Sequence, residues 1–235
     1  MLHEDKLSLT WNERLSIALQ AAKGINYLHQ LQEPIIHRDI KSLNFLLERA
    51  YEGYAVKVCD FGVARTRDET IRETYGKPNL VITLPWSAPE ILRLERHTEK
   101  SDIYSLGITY WELAARNRPY ENHANDNIRA SVLAGNRLPM PENTPANFRV
   151  VINKCWAQEP QDRPSSSEII QMVEKCMQIQ GNVFSMFWWD VGGTYHEPQS
   201  PELNPVRVIP RPKAEPLKSS SQVKLKTTTK SGIPQ

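Results

Sequence analysis

Two runs of strand-forming residues, Asn44 to Leu47 and Tyr54 to Val58, are separated by a short polar turn across Ala50-Tyr51-Glu52-Gly53. That pattern predicts a β-hairpin. It constrains the chain more than any other feature, because polar loops lead into it and out of it. Before the hairpin stands His37-Arg38-Asp39-Ile40-Lys41-Ser42-Leu43-Asn44, and after it Asp60-Phe61-Gly62. Strand pairing therefore brings Asn44 and Asp60 towards one another. A further extended piece, Pro34-Ile35-Ile36, feeds the first loop.

Everything around these strands reads as helix. Thr10-x-x-Glu13 is a capping box. It opens a helix with Leu15, Ala18, Ala22, Ile25 and Leu28 on one face, a 3.6-residue period. Ser101 is the expected cap of a helix running to about Ala115, apolar nearly all round, as a buried central helix would be. Shorter helices are expected over 126–134, stopped by Gly135, and over 148–156. Ser165-x-x-Glu168 is a second capping box, opening a last helix expected to end at Gly181. The fold class is α+β, mainly helical with a few short strands.

Composition narrows the function. The 29 Lys+Arg nearly balance the 27 Asp+Glu, so no bulk attraction to nucleic acid or an anionic surface is expected. No apolar run approaches the roughly 20 residues of a membrane span. Cys59, Cys155 and Cys176 are too scattered for a disulfide framework or a paired metal site, which favours a reducing, cytoplasmic setting. Prolines mark the domain boundary, since seven of the 17 fall in the last 38 residues, which contain no aromatic residue. We divide the chain into a folded body over 1–182, an apolar aromatic extension over 183–196, and a disordered Pro/Lys-rich tail over 197–235. Within the tail, Pro198-Gln-Ser-Pro201 could serve as an extended ligand for a regulatory protein. An untargeted linker end is the plainer reading.

The loops carry the chemistry. Asn44 and Asp60 offer hard oxygen donors of the kind that suit Mg²⁺, which completes its shell with water and phosphate oxygens. Lys41, two residues past Asp39, can direct its ammonium to the same side and neutralise a phosphoryl group. A metal site, a cation and a free carboxylate are the parts needed for phosphoryl transfer.

On these residues the sequence resembles the eukaryotic protein kinases. HRDIKSLN matches the catalytic loop, with Ile40 in place of leucine; DFG matches the metal-binding loop, and Ala88-Pro89-Glu90 the end of the activation segment. The intervals, 21 residues from Asp39 to Asp60 and 26 from Gly62 to Ala88, are ordinary for that family. The resemblance covers about 8–180 and implies a large catalytic lobe. It implies that Asp39 orients or accepts the substrate proton and that Lys41 steadies the transferring phosphate of ATP. Asn44 and Asp60 would hold Mg²⁺, and Arg38 would pair with a phosphate or acidic group on the activation segment. For Arg38 the plainer alternative is an exposed ion pair worth little. His37 is expected to pack beneath the metal loop, Glu90 to pair with Arg163, and Asp102 to anchor the catalytic-loop backbone.

Lys41, together with Thr83 as a threonine that bonds Asp39 and Lys41, implies Ser/Thr substrates, with dual specificity the alternative. Ile82, before Thr83, departs from the family's usual glycine. The Lys41-Ser42 pair, Trp86 and Trp111 resemble the tyrosine-kinase-like branch. Thr66, Thr70, Thr74 and Tyr75 are candidate acceptors of an activating phosphate. The first glycine, Gly24, already lies in the first large-lobe helix, so the small sheet-rich N-terminal lobe is expected to be absent. Two readings follow: the catalytic lobe of a kinase that phosphorylates protein substrates, or a half-kinase acting as a binding or scaffold module.

Overall fold

The computed structural model describes residues 8–51, 53–73 and 83–189, with side chains described except at 71–73 and 181–189. These belong to a compact unit, Met1–Gly193; a second unit, Thr194–Gln235, lies outside the described residues. The Pro198-Gln-Ser-Pro201 segment and the rest of the tail therefore lie outside them, as do Thr74, Tyr75, Ile82 and the side chains of the 183–189 aromatic stretch.

Helix α1, Trp11–His29, starts at the Thr10 capping box, where the Thr10 N–H donates to Glu13 Oε2 at 2.8 Å. Its apolar stripe, including Leu15, Ala18, Ala22 and Ile25, is fully buried. The chain then forms β1 (Ile35–Ile36), β2 (Phe45–Arg49), β3 (Tyr54–Val58) and β4 (Arg65–Thr66). The expected hairpin is β2–β3, antiparallel with Phe45 opposite Val58. Its β3 strand lies so close to α1 that a Cβ on Gly24 would stand 2.5 Å from Val58 Cγ2. A second ladder, β1–β4, pairs Ile35 with Thr66 and Ile36 with Arg65. Two-residue strands carry too little pattern to reveal such a partner in advance.

After α2 (Arg67–Glu73) and the one-turn α3 (Pro89–Leu92), the chain is helical: α4 Glu99–Ala115, α5 Asn125–Leu133, α6 Ala146–Cys155 and α7 Ser166–Trp189. Helix α4 is the hub, buried on every side from Ser101 to Ala114 except Ser105, which is half-buried. Gly107 makes this packing possible, because a Cβ there would meet Cys155 Cβ of α6 at 2.7 Å. Arg14 of α1 donates to the carbonyls of Leu113 and Ala114, satisfying the free end of α4.

Two boundaries differ from expectation. Thr98, not Ser101, caps α4: its side chain accepts from Lys100 N, and its N–H donates to Ser101 Oγ at 3.1 Å. Ser101 is thus the far member of the capping motif rather than the cap. Helix α7 continues past Gly181 to Trp189. A helical glycine costs only about 1 kcal/mol relative to alanine, and no proline follows before 198 to stop the helix.

Candidate active site

The loop bearing Asp39 leaves β1 and is fastened from below by one buried carboxylate. Asp102, in the first turn of α4 and 1% exposed, accepts from the N–H of His37 at 2.8 Å and of Arg38 at 2.9 Å. Arg38 adopts a left-handed backbone, φ 71°. A non-glycine residue holds that conformation only where its surroundings over-determine it, and the paired bonds to Asp102 supply the constraint. Buried Ile40 pins the next turn into the core. Lys41 is extended, and a short 3₁₀ turn over Ser42–Asn44 then delivers the chain into β2.

Three side chains converge on Asp39. Thr83 Oγ1 donates to Asp39 Oδ1 at 2.6 Å, Lys41 Nζ to Oδ2 at 2.7 Å, and Asn44 Nδ2 to Oδ2 at 3.0 Å. Lys41 Nζ also lies 3.4 Å from Thr83 Oγ1. Burial opposes ionisation of Asp39, but the bonds from Lys41 and Thr83, the Lys41 charge and the Asn44 bond outweigh it. Its carboxyl is therefore held below the ordinary value. A carboxylate has about four acceptor positions, and these three bonds occupy three of them.

Asn44 is buried, and its nitrogen also donates to the Asp39 carbonyl at 2.7 Å. With that nitrogen committed, its side-chain oxygen is the atom left to accept. The Asn44 carbonyl accepts from Cys59 N at 2.9 Å, which ties the start of the hairpin to the residue before Asp60. Asp60 is exposed and left-handed, φ 63°, with Oδ1 accepting weakly from Gly62 N at 3.3 Å. An aspartate tolerates that backbone through such a local bond. Among the described residues, no group of three or more His, Cys, Asp and Glu side chains forms a metal cage. Mg²⁺ needs no such cage, since one or two protein oxygens plus phosphate oxygens and water complete its shell. The donor chemistry of Asn44 and Asp60 fits it.

Around the site, His37, Glu90 and Arg163 are buried. His37 is fully buried, its Nε2 donating to the Cys59 carbonyl at 3.1 Å and its ring 5.2 Å from that of Phe61. Arg163 makes a buried two-pronged ion pair with Glu90, at 2.6 and 2.8 Å, joining the 88–90 turn to the segment before α7. Arg38 lines a small cavity with Asp39, Thr83, Trp86 and Ser105. Of the candidate phosphate acceptors within the described residues, Thr66 is half-buried in β4. Thr70 is buried and donates to the Thr66 carbonyl at 3.0 Å. Phosphorylating Thr70 would require α2 to open.

Sequence reasoning missed two residues. His29, at the end of α1, places Nε2 3.0 Å from Asp102 Oδ2. Glu112 of α4 accepts from Ser42 and Trp86. Both partners lie tens of residues away, so no local spacing could have announced either contact. For Glu112, a lone charge in the stretch from Ile103 to Ala115 was the available signal.

Comparisons with known proteins agree with this geometry. Residues 1–173 match the family described as protein tyrosine and serine/threonine kinase. Over 176 residues the chain is 40% identical to the probable serine/threonine-protein kinase drkC of Dictyostelium discoideum, an alignment spanning 74% of this chain and 23% of that one. It is 39% identical to the serine/threonine-protein kinase CTR1 of Arabidopsis thaliana, spanning 74% and 21%. With the probable serine/threonine-protein kinase drkD of Dictyostelium discoideum it shares 37% identity, spanning 74% and 13%. The chain thus spans less than a quarter of these curated relatives. With the catalytic-loop and DFG residues gathered as described, the chain belongs to the eukaryotic protein kinase family.

Proposed function

We propose that this chain carries the catalytic and metal-binding loops of a protein kinase that transfers the γ-phosphoryl group of Mg²⁺-ATP to Ser or Thr hydroxyls of a protein substrate. The observation that carries the reading is the Asp39 carboxylate held by Lys41, Thr83 and Asn44. Asp39 accepts a hydrogen bond from the incoming hydroxyl at its remaining acceptor position and takes the proton as the oxygen attacks phosphorus. Its lowered pKa makes it a weak base, so its larger contribution is orientation, with proton transfer late in the step. Lys41 lies beside the attack path and balances charge on the transferring group.

Asn44 and Asp60 would hold Mg²⁺, which would supply positive charge to neutralise the phosphate oxygens. Arg38 pairs with a phosphate on the activation segment. The Lys41–Thr83 contact favours Ser/Thr over tyrosine acceptors, as does the resemblance to these serine/threonine-protein kinases. Cytoplasmic placement is supported by free thiols at Cys59, Cys155 and Cys176. Among the described residues no helix is long and apolar enough to cross a membrane. A partner for the proline-containing tail belongs to the same reading, supported by its composition.

The test is thermal shift of the full chain with Mg²⁺-ATP, together with radiolabel transfer to a degenerate serine/threonine peptide mixture. A stabilising shift that is lost in Asp60→Asn supports the reading. A well-folded chain showing neither shift nor transfer rejects catalysis by this chain alone.

A further inference from the structure

We propose that Glu112 is a positioning residue that locks the loop carrying Lys41 to the segment carrying Thr83, so that both arms of the clamp on Asp39 move as one. The side chain sits on α4 and is fully buried. Oε1 accepts from Ser42 Oγ at 2.8 Å and Oε2 from Trp86 Nε1 at 2.6 Å. Ser42 directly follows Lys41, which reaches Asp39 Oδ2. Trp86 is bonded back to Thr83 through its own N–H at 3.1 Å, and Thr83 reaches Asp39 Oδ1. Ser105 Oγ donates to the Trp86 carbonyl at 2.8 Å, holding that turn against α4.

The bonds therefore close a circuit from Asp39 through Thr83, Trp86, Glu112, Ser42 and Lys41 back to Asp39. Ser42 and Trp86 come from parts of the chain 44 residues apart. They communicate through the two oxygens of one buried carboxylate. A carboxylate serves both donors at once, and charge-assisted bonds of this kind are about twice as strong as neutral ones. Stability alone does not call for it, because a well-packed apolar residue often does as well as a buried charge. The circuit gives the charge a positional purpose. Loss of either arm frees Thr83 or Lys41 to drift, which tilts the Asp39 carboxylate without removing it.

This inference rests on the reading of Asp39 given above, so the test has two arms, both on the full chain. In the kinetic arm, Ser42→Ala, Trp86→Phe and the double variant are compared with a serine peptide selected from the mixture. Each single change is expected to lower kcat/KM for the peptide about tenfold, the scale of one charge-assisted bond. The double is expected to be little worse than either single, since both break the same circuit. The KM for ATP stays unchanged, which a general loosening of the fold would not produce.

Glu112→Ala should match the double variant. Glu112→Gln should recover most of that loss, its oxygen serving the indole and its nitrogen donating to a turned Ser42 hydroxyl. A double variant showing the product of the single effects overturns the proposal, as does a Gln variant as impaired as Ala. In the second arm, the Trp86 indole N–H resonance is assigned by its loss in Trp86→Phe, and its hydrogen exchange is measured in Ser42→Ala. Faster exchange supports the circuit, and an unchanged rate overturns it. If the chain transfers no phosphate at all, that failure falls on the proposed function, and the indole arm alone decides the role of Glu112.

Discussion

Asp39 and Asp60 enter from opposite ends of one hairpin, yet the fold treats them in opposite ways. Asp39 is recessed, held by three side chains, and its loop is bonded to the buried Asp102. Asp60 is exposed, holds its own backbone in a left-handed turn through one weak local bond, and stands next to a half-exposed Phe61. On the function proposed above, precision is built in at Asp39, where a hydroxyl must be aligned to a fraction of an ångström. On the same reading, freedom is left at Asp60, where a bound cation would complete the order. On that reading the contrast is one of rigidity assigned by task.

The sharpest way to break that contrast is at Asp39. Asp39→Asn keeps an oxygen for Thr83 or Lys41 but removes the charge, and should lower transfer by about 10²–10⁴-fold. The Mg²⁺-ATP thermal shift should remain, and radiolabel transfer beside melting curves checks both. Next is the support beneath the loop. Asp102→Ala orphans the His37 and Arg38 amides, and should cost about 3 kcal/mol in urea unfolding, at the scale of breaking a buried charged network. Asp60→Asn, by comparison, should move the unliganded midpoint by no more than about 0.5 kcal/mol.

A finer test separates the loops. Gly24→Ala presses on Val58 Cγ2 and so on the strand leading to Asp60, not on the Asp102–Asp39 column. Stability should fall by about 1–2 kcal/mol, and the nucleotide-dependent shift should weaken more than the indole exchange of Trp86 changes. The smallest effect is in pH. The native carboxyl of Asp39 lies below its ordinary value, so its stabilising contribution is complete above about pH 4. It is lost only as pH falls through the lowered native pKa. An acid limb for unfolding that moves to higher pH in Lys41→Met checks the sign.

The parts legible in the sequence are those governed by neighbours in the chain. Thr10 and Glu13 announce a helix start because a capping box closes within one turn, and β2–β3 announces itself because its turn is short. Thr83 came from family resemblance rather than spacing, since nothing local relates it to a carboxylate 44 residues earlier. Ser101 misled because serine serves equally as cap and as third residue of a capping motif, and only the Thr98 backbone distinguishes them. Gly181 misled because a glycine stops a helix only when the following chain has a competing place to go. The links made by Glu112 and His29 were illegible because both are products of packing between distant helices and loops.

The two-residue ladder of β1 with β4 has a kinetic consequence. Once Ile35 meets Thr66, the chain between them becomes a closed excursion that leaves and returns at one point. Asp39, Lys41, Asn44 and Asp60 all ride on that excursion. The entropy of bringing its ends together is spent in a single event, and it grows only slowly with length, about 0.6 kcal/mol per doubling. Inside the closed segment, pairing β2 with β3 is a short-range step. The chemistry-bearing residues are thus expected to assemble as one local folding unit, ahead of the later docking of Thr83 from outside it.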